Sequence, residues 1–490
     1  MKKMRKLVSL LLAAGMLTGI AGCGEKKEMA GGDMPTLNWA LFFKEQDDLK
    51  AVEAEVNKIV EKQIGAHVNI IRIEEGNYNE KIQLGLAGGE DIDICNMAPR
   101  FGFLSHVSRG AFLPLDEVIE KNAPELLSIM PADFWEAAKV GGKLYGVPNY
   151  QIVGRMNGFV AQKDLLDKYG FDLSKTSKLE DIEPFLASVK AGEEPNMVPS
   201  GIMGGSYAWG LSHYVGFEAI GSEKYPTAIR NHDETLTVVN QFATEEFKNY
   251  CKLLRDWYQK GYVAQAGASD SESDLLQQGL IASRIDNVAP GMEENFEKQM
   301  GGRKVQTQVI DPPFVNTANV IATMNCINAR TKYPDLCVKF LDLINRNVDN
   351  IYNTLVFGIE GKHYNKTGDN RIEKIADSGY DLSGYSWELG NNFNAYVYGS
   401  QADDLWEQTA KINENAEVSM ILGFSFDIEP VQTELSSCQA VVDEYLGPIA
   451  RGSVDVDTEL PKFLEKLEAA GVDKVIAEAQ RQINEWKAAK

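Results

Sequence analysis

The sequence predicts an α/β fold built on mainly parallel sheets, and two observations carry that reading. Apolar patterns over residues 36–95 alternate as β-α-β-α-β, which calls for right-handed crossovers with helices on the sheet faces. The chain has 490 residues with 44% hydrophobic and 9% aromatic side chains, ordinary globular content and enough for two or three core-bearing domains. Wholesale disorder, collagen and coiled coil are excluded.

The elements follow in order. Residues 36–42 form an extended apolar run, and Asp47 stands where it would cap a helix whose apolar positions Leu49, Val52, Val56, Ile59 and Val60 recur at helical spacing, with Gly65 as its stop. Residues 67–73 alternate as a strand, 78–87 read as helical, and 91–95 return as a short strand after Gly88-Gly89. Ligands gather beyond the carboxyl ends of such strands, so 43–46 and 96–100 are the first places to look. Residues 142–151 read as a hairpin, after which the pattern changes and places a domain crossing at 151–156. Residues 244–260 are a helix with a hydroxyl at the start, acids in the first turn and Gly261 as the stop. Asp311-Pro312-Pro313 forces an extended connector suited to a second crossing. Two helical pieces around Gly471 close the chain, with Val475, Ile476, Ala479, Ile483 and Trp486 as a core-facing stripe.

The net charge of −22, from 49 basic and 71 acidic residues, argues against a nucleic-acid partner and suits a neutral or cationic ligand. The first 22 residues hold four basic side chains and no acid, so their removal takes the charge to −26. They read as an export signal: a basic start, an apolar run over 7–17, then Thr18 to Cys23. Ile20-Ala21-Gly22-Cys23 resembles the bacterial lipobox, in which the cysteine is diacylated and becomes the new N-terminus. Residues 23–35 then form a polar, glycine-bearing tether, and the expected location is the extracellular face of the cell membrane. No other stretch reaches the roughly 18 apolar residues of a membrane span. Cys95, Cys251, Cys326, Cys337 and Cys438 remain, an odd number without a C-x-x-C pair, and are expected to be buried thiols.

Phosphate-cradling loops, zinc-protease helices and nucleophile elbows are absent, and five histidines are thin for metal chemistry, so no enzyme, cofactor or metal is expected. One enzymatic alternative stands: Asp427 and Glu429, which on a strand share a face, as the carboxylate pair of a secreted glycoside hydrolase. More informative are aromatics and amides in expected loops: Trp39 with Phe43, Asn149-Tyr150-Gln151, Tyr207 with Trp209, and 385–393. Flat rings stack on the apolar face of a pyranose while amides and carboxylates take its hydroxyls, which is what a neutral oligosaccharide needs.

The lipobox cysteine, the β-α-β-α-β opening and Gly142 to Gln151 ("GKLYGVPNYQ") resemble the extracellular solute-binding lipoproteins of ABC sugar importers, of the large oligosaccharide-binding type. Gly358 to Tyr364, Trp387 to Phe393 ("WELGNNF"), Leu422 to Val431 and Phe463 to Trp486 are similar to the subgroup of the Bacillus lipoprotein LplA. The resemblance implies a two-lobed, type II periplasmic-binding-protein-like fold with hinge strands, which closes on an oligosaccharide and presents it to permease subunits; a peptide-binding lipoprotein is the alternative. Related alginate-binding proteins carry a calcium loop, and Asn365 to Asn370 is too short and acid-poor to be one. The expected lobes are 36–150 with about 314–357, and 151–313 with about 358–490, late segments crossing back, in a monomer. The expected ligand-binding residues are Trp39, Lys44, Asn149, Tyr150, Gln151, Trp209, Asp286, Glu360, His363, Trp387, Asn391 and Asn392, with Lys44 and Arg100 placed to meet an acidic sugar.

Overall fold

The computed structural model describes residues 34–89, 91–201, 211–264 and 272–489. The expected signal peptide, Cys23, most of the tether, Tyr207 and Trp209 lie outside them.

Strand Thr36–Phe42 pairs in parallel with His67–Ile73 on one side and with Ile94–Met97 on the other. Parallel strands covered on both faces read as near-continuous apolar runs, and Ile94–Met97 is buried throughout. Helix Leu49–Ile64 buries Val52, Val56 and Val60 against this sheet and ends where Gly65 takes a φ of 66°, open to glycine without strain. Its N-cap is Asp48 rather than Asp47, and the Asp48 carboxylate, instead of capping, meets Lys362 at 2.9 Å and His363 at 3.2 Å.

The expectation of mainly parallel sheets is corrected. Met324–Ile327 and Val147–Pro148 extend the first sheet antiparallel to their neighbours. A second sheet, Val305–Val309, Asn157–Gln162, Ile281–Asn287 and Val198–Gly201 in that order, has only its last pairing parallel. Chain returning from the far side of the molecule enters each sheet with reversed direction, so both are mixed. Asn157–Gln162 is buried along its whole length because Phe159 and Ala161 enter one apolar cluster while Val160 enters another. At Gly158 an added Cβ would lie 2.3 Å from the Gln308 carbonyl oxygen, so glycine there permits the strands to approach.

Two large cores result. One gathers buried residues from Leu37 to Val153 and from Val315 to Tyr396; the other takes Phe159 to Ile285 and Ile421 to Ile483. Tyr364, Ile372, Tyr380, Leu389 and Tyr396, expected with the second lobe, are buried in the first core. The reason is aromatic packing: Phe357 lies 6.3 Å from Tyr364 and 5.9 Å from Tyr396, ring centre to ring centre. The free cysteines at 95, 251, 326, 337 and 438 are all buried.

The crossings between the cores run side by side. Arg155 and Phe314 exchange two backbone hydrogen bonds, of 3.0 and 2.9 Å. Phe314-Val315 in turn pairs in parallel with Glu417-Val418, the third crossing. The Asn413 side chain fastens the first crossing: its carbonyl accepts from the backbone of Val153 and Gly154, and its amide donates to the Gln151 carbonyl.

A candidate ligand-binding cleft between two cores

Where the crossings meet, a cleft of about 1050 Å³ opens. Gln151, Ile152 and Arg155 line it from the first crossing, Asp286, Asn287 and Lys298 from the second-core side, and Lys374, Trp387, Asn392 and Tyr398 from the other.

Trp387 belongs to the tight turn Ser383–Glu388, and its indole N–H donates to the Gly384 carbonyl at 3.0 Å. The half-buried ring packs on Phe42 at 5.7 Å, and the Arg100 guanidinium stands over Phe101 at 4.7 Å, Phe42 at 5.4 Å and Trp387 at 5.7 Å. Beneath it, the Glu388 carbonyl accepts from Asn149 at 2.8 Å and Asn96 at 3.2 Å, which pins the turn. The Glu388 carboxyl is fully buried, and desolvation pushes its pKa well above the usual carboxylate range, against the weaker pull of the Phe42 backbone and Arg100.

The acids lining the cleft are neutralised within the protein. Asp286 meets Arg284 at 2.6 Å, Glu294 meets Lys298 at 3.0 Å, and Asp381 meets Lys374 at 3.1 Å. Lys374 also donates to Ser383 and lies 3.7 Å from the Tyr398 ring centre. Four polar side chains, Gln151, Arg155, Asn287 and Asn295, line the cleft without a side-chain hydrogen bond or ion pair among the described residues. Arg155 keeps an exposed part while its surroundings crowd it; that desolvation lowers its pKa, and the charge of Arg100 adds to the effect while Glu223 opposes it.

Of the twelve expected ligand residues, Gln151, Asp286, Trp387 and Asn392 line this cleft. Trp39 does not: it is wholly buried, edge-on to Phe340 at 5.3 Å, and its N–H donates to Asn325 at 2.9 Å. A tryptophan inside an apolar run between two parallel neighbours faces the core, so no sugar reaches it. Asn149 is also buried, donating to Thr323 and the Glu388 carbonyl and accepting from Asn325. Tyr150 packs on Phe393 at 4.5 Å, and burial raises its pKa. Asn391 accepts the Phe393 N–H as a turn cap.

His363 is buried behind a separate cavity of about 400 Å³, held by the Ile359 N–H and Asp48. Glu360 and Lys44 are exposed and line none of the cavities described, and Trp209 lies outside the described residues. Asp427 and Glu429 are exposed too: Asp427 accepts the Glu429 N–H in a turn before helix Gln432–Ala450, so they form no catalytic pair in the cleft. Arg155, Asn287, Lys298, Lys374 and Tyr398 were missed. Arg155 alone carried a signal, as a lone charge in the apolar connector Val153-Gly154-Arg155-Met156.

Residues 44–349 match the family model of the bacterial extracellular solute-binding proteins. The chain belongs to that family. Residues 420–488 match a further model, described as a domain of unknown function, DUF3502. Over 96% of both chains, the sequence is 28% identical to a carbohydrate ABC transporter substrate-binding protein of Streptococcus pneumoniae. It is 23% identical, over 98% of both, to the polygalacturonan/rhamnogalacturonan-binding protein YtcQ of Bacillus subtilis. Among solved structures, the N-glycan transport solute binding protein NgtS of Streptococcus pneumoniae superposes with a TM-score of 0.82 at 26% identity, covering 93% of this chain and all of that one. The same protein in complex with Man1GlcNAc gives 0.73 over 92% and 99%. These relatives are binding proteins of importers, not enzymes, and the fold is the type II periplasmic-binding-protein-like one that the sequence resemblance implied.

Proposed function

We propose that the protein captures an oligosaccharide outside the cell and delivers it to the permease of an ABC importer. The observation that carries the reading is the cleft itself. It lies between two separately packed cores, is fronted by the half-buried Trp387 indole, and carries amide and guanidinium groups that have no side-chain partner among the described residues. Relatives that match the chain from end to end are named for carbohydrate transport, which supports sugar over peptide.

On this reading the lobes are 36–153 with 315–415 and 154–314 with 416–490, and they close on the ligand by bending the paired crossings. The basic, apolar start and Ile20 to Cys23 support export and anchoring through a lipid on Cys23, and a monomer completes the proposal.

The test is a thermal-shift panel of oligosaccharides and peptides on the full mature chain. A ligand at a hundred times its Kd stabilises the folded state by about 2.7 kcal/mol, so the true class raises Tm and the other does not. With the sugar that shifts Tm, Trp387→Ala is expected to weaken binding by about tenfold while Tm of the free protein changes little. Stabilisation by peptides alone, or turnover of any sugar, would overturn the proposal.

A further inference from the structure

The cavity in front of His363, of about 400 Å³, lies within the size range of small-molecule sites, about 300–1,000 Å³, and the proposed function leaves it unused. One stretch of chain ties it to the cleft. Lys374 and Asp381 line both spaces, and from Asp381 the chain continues along the cleft through Ser383 and Gly384 to Trp387. Ser383–Glu388 is a 3₁₀ turn, which rises about 2 Å per residue, so the Cα atoms of Asp381 and Trp387 are no more than about 15 Å apart. The partly exposed Lys374–Asp381 ion pair is therefore a sill between the two spaces, within reach of a short oligosaccharide lying on Trp387.

The walls of this annexe are fixed before any ligand arrives. The Asp48 N–H donates to the Gly379 carbonyl at 3.1 Å, and the Ile375 N–H to the His363 carbonyl at 2.9 Å. The Asp381 N–H donates to the Gln46 side chain at 2.8 Å, and the Tyr380 hydroxyl to the Leu355 carbonyl at 2.6 Å. At Gly379, φ is 88° and an added Cβ would lie 2.8 Å from the Asp48 carboxylate, so glycine lets the loop close on Asp48. Two lining groups are left over: the Asp377 carboxylate and the Ser378 hydroxyl have no hydrogen-bond or ion-pair partner among the described residues. Half-buried Ile375 and exposed Ala376 supply apolar surface beside them, and the buried rings of Phe357 and Tyr380 complete the lining.

A carboxylate and a hydroxyl without partners accept from sugar hydroxyls, and small apolar side chains take the C–H face of a ring. The basic groups of the lining are already engaged, Lys374 with Asp381 and His363 with Asp48. An acidic unit would thus face Asp377 with no free cation of the lining to meet it, and a purely apolar group would serve neither Asp377 nor Ser378. Resting on the oligosaccharide reading, we infer that the annexe is a further subsite: it receives an uncharged hexose unit of a chain whose other units lie on Trp387, so that chains of more than two units are preferred.

The test is isothermal titration of the full mature chain with unbranched sugars of two to six units. The series are β-1,4-linked mannose, β-1,4-linked glucose, α-1,4-linked glucose and α-1,4-linked galacturonic acid, with the same lengths of whichever other sugar raises Tm. In a neutral series that binds, longer members are expected to bind at least about tenfold more tightly than the disaccharide, the scale of one added pocket contact. Ala376→Trp fills the annexe and is expected to bring the longer members to the affinity of the disaccharide, which itself stays as in the wild type. Asp377→Asn keeps a residue suited to the φ of 52° there and is expected to lessen the preference for neutral over galacturonic chains. Melting curves confirm that each variant is folded. No gain with length in the wild type, a gain that survives Ala376→Trp, or a gain confined to acidic chains would overturn the inference while the oligosaccharide reading stands. If no oligosaccharide binds at all, both fall. Should Ala376→Trp not fold, Ser378→Tyr takes its place with the same two outcomes.

Discussion

Asn149 and Asn325 lie beneath the turn that carries Trp387, whereas Asn287 lies at the lip of a recess of about 70 Å³ beside the cleft, and the same side chain does opposite work in the two places. Below the floor, both ends of each amide are engaged: Trp39 donates to Asn325, Asn325 to Asn149, and Asn149 to Thr323 and the Glu388 carbonyl. At the lip the Asn287 amide has no such neighbour among the described residues. A buried polar group left without a partner costs about 1–3 kcal/mol, so the buried floor amides must be paired and hold the turn in place, whereas the partly exposed Asn287 amide can be served by water and is open to a ligand. Residue type marked Asn149 as a sugar contact and passed over Asn287; the account of hydrogen bonds reverses the two.

The contrast is open to attack at several points, the strongest being Trp39. Trp39→Ala is expected to lower stability by about 3–5 kcal/mol, read from the urea midpoint, while ligand affinity of the folded fraction stays as it was. A variant of full stability that has lost its ligand would return Trp39 to the cleft and dissolve the distinction.

The acid at the back of the recess gives the next effect. Burial raises the Glu218 pKa to about 7, so the folded state holds its proton more tightly than the unfolded chain. The associated stability is complete below about pH 4.5 and fades as pH rises through about 7, by about 3 kcal/mol in all. Denaturant melts at pH 5 and 8 should show that decline in the wild type and a shallower one in Glu218→Gln; equal slopes would mean that the carboxyl is not desolvated. Smallest of the three is Asn149→Ala, which removes donors from Thr323 and the Glu388 carbonyl and should cost about 1–3 kcal/mol in chemical denaturation. No loss at all would say that the floor cluster holds nothing.

Much of the fold could be read from local pattern. The opening β-α-β-α-β series, the Gly65 stop, the Thr244 cap with its 3.3 Å bond from the Phe247 N–H, and the final helices on either side of Gly471 all depend on neighbours in sequence. What escaped depends on partners far apart. Met324–Ile327 pairs with Ile94–Met97, and nothing in either four-residue run announces the other. Likewise 364–396 joins the first core through Phe357, a packing event without a periodic signature.

The site was legible where an aromatic sits among polar neighbours, as Trp387 does, and illegible where function rests on the lack of a partner. Asn287 is an ordinary residue in sequence and Arg155 stood out only as a lone charge in an apolar connector; their lack of a side-chain partner among the described residues is what makes them candidates. His363 shows the converse, an eye-catching histidine fully committed to Asp48 and the Ile359 N–H.

The third crossing has a consequence for genetics. A chain cut short by a stop codon at about residue 415 would keep every buried member of the first core, yet would lack Ile421 to Ile483 from the second. Early termination there would thus leave half of the jaw intact and the other half without its filling, and a nonsense mutation near codon 415 would abolish uptake.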